Sequence, residues 1–172
     1  TFPGALVSMG SATVVSDGPR DDKFAIAAEV YNRAGDLGRK AGVQVAVHPS
    51  SHHNTLLFDR ADYDRIFALL DPDLVGWVPD TGHILRGHKD MSDTLRTYRD
   101  RIRYIHLKDV DANGTWAMLG QGVCDTPAVI EIANTAPHFN GWLLLEEESD
   151  TGAADPAGAV KTNRHTRRSY GA

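Results

Sequence analysis

The 172-residue sequence has one cysteine, Cys124. That excludes an internal disulfide framework and fits a reducing compartment, so a cytoplasmic location is expected. It has no apolar run near the roughly 18 to 20 residues of a membrane-spanning helix, and no membrane partner is expected. It also lacks a basic excess: 18 Lys and Arg stand against 23 Asp and Glu, a formal net charge of -5 with a pI near 5.8. A surface dedicated to phosphate backbones is therefore not expected, and nucleic acid is not an anticipated partner. Repeats and low-complexity linkers are missing too. The opening "TFPGALVSMG" has no initiator Met, basic n-region or cleavage pattern, and reads as a position inside a longer chain.

What is present is the balance of an ordinary soluble domain, 41% hydrophobic and 24% charged. Apolar runs of strand length alternate with helical patterns. "GALVSMG" (4 to 10) is followed by a helix with Phe24, Ala27, Tyr31, Ala34, Leu37 and Ala41 at helical spacing, closed by Gly42. "VQVAVHP" precedes a His-rich polar loop and a helix capped by Asp59 or Asp62. "LVGWVPD" is the third strand, and a turn through Thr81 to His83 leads to a charged helix "KDMSDTLRTYRDR". "IRYIHLKD" and a long loop come next, then the helix "PAVIEIANTA" opened by Pro127, the strand "GWLLLEEE" and a last helix from Pro156 to about Tyr170. Strands each followed by a helix predict right-handed βα units around a parallel sheet.

Polar residues gather at one rim of this scheme. His48, Asp80, His106 with Lys108, and Glu146 with Glu148 all end predicted strands, where parallel α/β folds bind their ligands. Period-two alternation puts His106 and Lys108 on one face and Ile105 and Leu107 on the other. The same rule sends Glu147 away from Glu146 and Glu148, as a structural residue. Asp80 and His83 also admit a plainer reading as turn residues, His106 as a satisfied core histidine, and Lys108 as an ion-pair partner. His52 and His53 read as exposed loop residues, with His52 kept as a candidate substrate contact. Trp77, Trp116 and Trp142 read as packing residues, although Trp116 is placed to wall a pocket.

"DTGH" after an apolar strand, "HLKD" ending the next, "LGQG" with a following Asp, and "GWLLLEEE" together resemble the xylose isomerase-like TIM-barrel superfamily of sugar phosphate isomerases and epimerases. "YNRAGDLGRKAGV" leading to "HP" resembles its inosose dehydratase branch. The resemblance implies an α/β fold of the (β/α)8 barrel type, with residues 1–172 as the carboxyl-terminal part of a single barrel, strands 4 to 8. The barrel would be completed by residues outside this chain or by another chain, and a homo-oligomer is expected.

The resemblance also implies roles. Asp80, His106, Glu146 and, in place of a family Glu, His48 are expected to bind a divalent ion, foremost Mn²⁺, with Zn²⁺, Co²⁺, Fe²⁺ or Mg²⁺ as others. His83, Lys108 and Glu146 are expected to act catalytically; His52, Trp116 and Glu148 are expected to touch a small polyol or keto-sugar. The implied chemistry is proton abstraction next to a carbonyl through an enediolate, giving isomerisation or epimerisation as the leading outcome and dehydration of an inosose as the alternative. An abasic-site endonuclease and a non-catalytic accessory barrel are the further alternatives.

Overall fold

The structure is a computed structural model describing residues 4–13, 19–52, 54–88 and 90–171. It divides into two compact units, Thr1–Val78 and Pro79–Ala172.

The first unit is a parallel sheet with strand order β1-β2-β3: β1 (Leu6–Gly10), β2 (Gln44–His48) and β3 (Val75–Trp77). Val7 pairs with Val45, Val47 with Trp77, and Gly10 with His48. Helix α1 (Arg20–Ala41) buries Phe24, Ala27, Ala28, Tyr31 and Gly35. Gly35 is on this face because an added Cβ would stand 2.7 Å from the Leu74 carbonyl oxygen. The helix stops at Gly42, whose φ of 69° suits a residue without a Cβ. Helix α2 (Arg60–Leu69) uses both candidate caps: Asp59 accepts from the Asp62 N–H, and Asp62 reaches back to the Asp59 N–H as a capping box. Tyr63 and Phe67 then meet the fully buried Trp77 edge-on, at 5.8 and 5.6 Å between ring centroids.

Helix α1 departs from its expected face at one end. Leu37 is 58% exposed and shares a stripe with the exposed Ile26 and Val30, so the helix has a second apolar face turned to solvent. A cavity of about 320 Å³ opens beside it, lined by Gly10, Ile26, Ala27, Val30, Tyr31 and Leu56 among others. Val7, on the edge strand β1, is exposed as well.

The second unit begins with α3 (Thr81–His88) and α4 (Met91–Thr97), then β4 (Ile105–Leu107), the pair β5 (Asp109–Val110) and β6 (Trp116–Ala117), α5 (Thr126–Asn134), β7 (Leu143–Leu145), α6 (Asp150–Ala154) and α7 (Pro156–Ser169). β4 and β7 pair in parallel with His106 opposite Leu144. Ile105 and Leu107 are buried, as alternation requires. Four expectations are corrected. The turn at 81–83 is the first turn of α3, and the charged helix shrinks to α4 followed by a 3-10 turn at Arg99–Arg101. The long loop contains the antiparallel hairpin of β5 and β6. Trp142 is not a packing residue: it is 72% exposed, beside an exposed Leu144. Among the described residues no helix is long and apolar enough to cross a membrane.

The loop after β6 is folded around one carboxylate. Asp109, 1% exposed, accepts from the backbone N–H groups of Val110, Gly120, Gly122 and Cys124 at 2.9 to 3.1 Å. An added Cβ at Gly122 would collide with the same carboxylate and with the Val110 carbonyl, which explains the glycine there. Burial pushes the Cys124 thiol up to about 11, so it is no thiolate nucleophile at neutral pH. Asp109→Ala should strand these N–H groups and cost about 3 kcal/mol, against a smaller loss for Asp109→Asn, which keeps one acceptor oxygen. Urea unfolding midpoints of the two variants check this; equal midpoints would remove Asp109 as the loop's anchor.

Candidate metal centre

Asp80, Thr81 and Gly82 of "DTGH" each have a separate physical reason. Asp80 follows β3 in sequence, is fully buried, and forms an isolated parallel bridge with His106. Its Oδ1 accepts the His83 N–H at 2.8 Å, which satisfies a free donor at the start of α3. Thr81 Oγ1 donates to the Lys108 carbonyl at 2.5 Å and accepts the Lys108 N–H at 2.8 Å, locking the helix to the end of β4. Gly82 leaves room for neighbours: a Cβ there would meet the Trp116 ring at 2.8 Å and Lys108 Cγ at 2.9 Å.

His106 and Glu146 complete the cluster from β4 and the end of β7. His106 Nδ1 lies 2.6 Å from Glu146 Oε2 and 3.8 Å from Asp80 Oδ2. One ligand atom each from Asp80, His106 and Glu146 falls within 4.8 Å of the others. Glu146 Oε1 accepts from Lys108 Nζ at 3.0 Å, and Glu148 Oε1 stands 2.8 Å from the same ammonium. Hydrogen bonding from His106 and then the charge of Lys108 outweigh burial and hold the Glu146 carboxyl far below the usual carboxylate range. Two carboxylates and an imidazole converging at one strand-end rim are a donor set that fits a divalent ion of the Mn²⁺ or Zn²⁺ type.

Trp116 forms the adjoining wall. Its ring is 4.2 Å from Lys108 Nζ and 4.4 Å from the Arg86 guanidinium, and the His83 ring stands perpendicular to it at 5.2 Å. The structure therefore gathers Asp80, His83, His106, Lys108, Trp116, Glu146 and Glu148 in the second unit. His48 ends β2 in the first unit, half-buried. His52 is exposed, and His53 lies outside the described residues. Glu147 turns to structure as alternation predicts: it accepts from the Ser149 N–H and from Asn163 Nδ2, and these bonds overcome the raising effect of burial to lower its pKa.

Sequence reasoning missed Tyr104 and Arg86. Tyr104 Oη is 3.4 Å from His106 Nε2 and was findable two positions before His106 on the same strand face. Arg86 was hidden because α3 was read as a turn.

Residues 3–169 match the family described as xylose isomerase-like TIM barrel. The chain belongs to that family. The inosose dehydratase of Lacticaseibacillus casei is 30% identical over 164 residues, covering 84% of this chain and 54% of its own length. The chain thus spans about half the length of the curated relatives it matches. Among solved structures, the IOLI protein with a bound zinc atom superposes with a TM-score of 0.75 at 16% identity, covering 96% of this chain and 62% of that one. A sugar phosphate isomerase/epimerase from Parabacteroides distasonis gives 0.70 at 19% identity, over 91% of this chain and 55% of its own. At these identities the structural likeness establishes the fold.

Asp80→Asn keeps an oxygen for the His83 N–H and removes the charge. Its unfolding free energy should stay within about 1 kcal/mol of the parent while manganese or zinc affinity falls by more than tenfold; Asp80→Ala should lose a further ~1 kcal/mol with the cap. Metal titration and urea unfolding check both. Equal metal content in the Asn variant would take Asp80 out of the ligand set.

Proposed function

We propose that this chain supplies strands 4 to 8 of a metal-dependent barrel enzyme that removes a proton next to the carbonyl of a small cyclic polyol ketone and expels a β-hydroxyl as water. The observation that carries the proposal is the convergence of Asp80, His106 and Glu146 beside the buried Lys108 ammonium. The barrel-fragment reading is supported by the apolar stripe of Ile26, Val30 and Leu37 in the first unit and by the exposed Trp142 and Leu144 in the second. Surfaces of this kind are where the flanking βα units of a closed barrel pack.

Asp80, His106 and Glu146 would hold the ion. Such an ion, Mn²⁺ or Zn²⁺, supplies Lewis acidity at a substrate carbonyl oxygen. Lys108 is fixed between two carboxylates and offers positive charge to an oxygen on which negative charge develops. Glu146 takes the α-proton. His106 and Lys108 keep it ionised at rest, and its basicity rises when Lys108 turns its hydrogen bond toward the substrate. His83 gives its proton to the departing hydroxyl, so that the C–H and C–O bonds both break, a C=C bond forms and one water leaves. Trp116 is the apolar wall against which the ring of the substrate stacks, with Glu148 as a hydroxyl acceptor farther out.

Dehydration is preferred over the isomerisation that the sequence first favoured because eight curated relatives, from 24% to 30% identical, carry the name inosose dehydratase. The second reading is isomerisation or epimerisation, favoured by the fold of the Parabacteroides protein. In it the same proton is returned to carbon and no oxygen is lost.

Product mass decides between them. Incubation of the metal-loaded protein with an inosose should give a product lighter by one water, whereas an unchanged mass with altered configuration supports the second reading. His83→Ala should lower turnover by about 10² to 10⁴ with metal binding intact. No reaction with inososes or ketohexoses by the complete barrel at full metal content would sink both readings.

A further inference from the structure

His106 has two ring nitrogens facing different surroundings. Nδ1 faces the carboxylates, 2.6 Å from Glu146 Oε2 and 3.8 Å from Asp80 Oδ2. Nε2 faces the hydroxyl of Tyr104 at 3.4 Å, and the two rings lie 5.4 Å apart at 42°. A neutral imidazole that gives one lone pair to a metal carries its proton on the other nitrogen, and a partner for that N–H fixes both the tautomer and the ring's aim. In the metal-free structure Nδ1 donates to Glu146; with an ion on Nδ1, the nitrogen turned toward the other two donors, the proton belongs on Nε2, where Tyr104 Oη can accept it.

We infer that Tyr104 is a positioning residue of the metal centre: by accepting the Nε2–H of His106 it presents Nδ1 to the ion, an assignment that rests on the metal-centre reading above. The sequence makes this pairing possible by placing Tyr104 and His106 two residues apart on one face, so the tyrosine ring runs beside the imidazole and brings its hydroxyl to the far nitrogen. The hydroxyl stands on the side of the histidine opposite Glu146, so the metal-bound ring cannot turn to offer Nε2 without losing its hydrogen bond to Tyr104. Tyr104 touches no reacting atom in this scheme and acts through His106 alone.

The test uses the protein with zinc as the probe. Tyr104→Phe keeps the ring contact and removes only the hydroxyl. Zinc affinity, measured by competition with a chromophoric chelator, should fall by about tenfold or more, the range of lost outer hydrogen bonds at metal-bound histidines. The thermal midpoint of the metal-free protein should be nearly unchanged. Nitrogen-15 NMR of the zinc-loaded parent should show His106 metallated at Nδ1 and protonated at Nε2, with faster exchange of that proton in the Phe variant; the parent spectrum stands even where the variant fails to fold. Ligation through Nε2, or equal zinc affinity and proton exchange in parent and variant, overturns the role of Tyr104 alone. A parent that takes up no zinc or manganese overturns the metal-centre reading and this inference with it.

Discussion

Lys108 brings a full positive charge to a side chain only 1% exposed, and taking an ammonium out of water costs several kcal/mol unless ionic partners and hydrogen bonds replace the solvent. The surroundings of this site follow from that requirement. Glu146 and Glu148 supply two carboxylates, Trp116 lays its π face against the charge, and Thr81 ties the lysine's own backbone by a reciprocal pair of bonds. Gly82 lacks a side chain because the lysine stem and the tryptophan ring already fill the space. Hydrogen bonding from His106 and then the same Lys108 charge keep Glu146 ionised close to the buried Asp80, an arrangement that two carboxylates would otherwise resist.

The rim was legible because strand alternation is a strong local rule. In "IHLK" it separates His106 and Lys108 from Ile105 and Leu107, and in "EEE" it turns Glu147 toward Ser149 and Asn163. What stayed hidden depended on contacts distant in sequence. "TGHILRGH" has a glycine at its second position, and its opening, Thr81 to His83, read as a turn; the Asp80 cap and the two bonds between Thr81 and Lys108 make it the start of a helix. The β5–β6 hairpin is two residues on each side and has no periodicity to detect, and the four N–H groups gathered by Asp109 order the loop that follows it. Trp142 shows the converse error. A tryptophan next to a leucine-rich strand reads as core, and here it is open to solvent.

Exposed apolar surface occurs in each unit, and it is patterned rather than scattered. Ile26, Val30 and Leu37 recur at helical spacing on α1, opposite the stripe that packs on the sheet. A helix apolar on two faces is what an outer helix of a barrel needs when it lies between its own strand and a neighbouring helix. Val7 on β1 has the same character, since a strand paired on only one side leaves its far edge unprotected. These features suit a chain that spans about half the length of the curated relatives it matches.

Asp80 links the candidate metal centre to the proposed acid through a single capping hydrogen bond. Its Oδ1 is committed to the His83 N–H, and its Oδ2 is the oxygen nearer His106. One carboxylate thus does two things through two oxygens: it starts α3 and it faces the ligand cluster. Because His83 lies within the first turn of that helix, the position of its backbone is set by the residue proposed to bind the ion. A shift of Asp80 on metal binding would carry the His83 backbone with it, and the His83 ring, held edge-on to Trp116, would move relative to the Lys108 ammonium on the same indole. The short spacing in "DTGH" is therefore a mechanical constraint. Three residues are the distance over which a capping carboxylate reaches a backbone N–H, so a ligand placed at Asp80 necessarily fixes the residue at position 83.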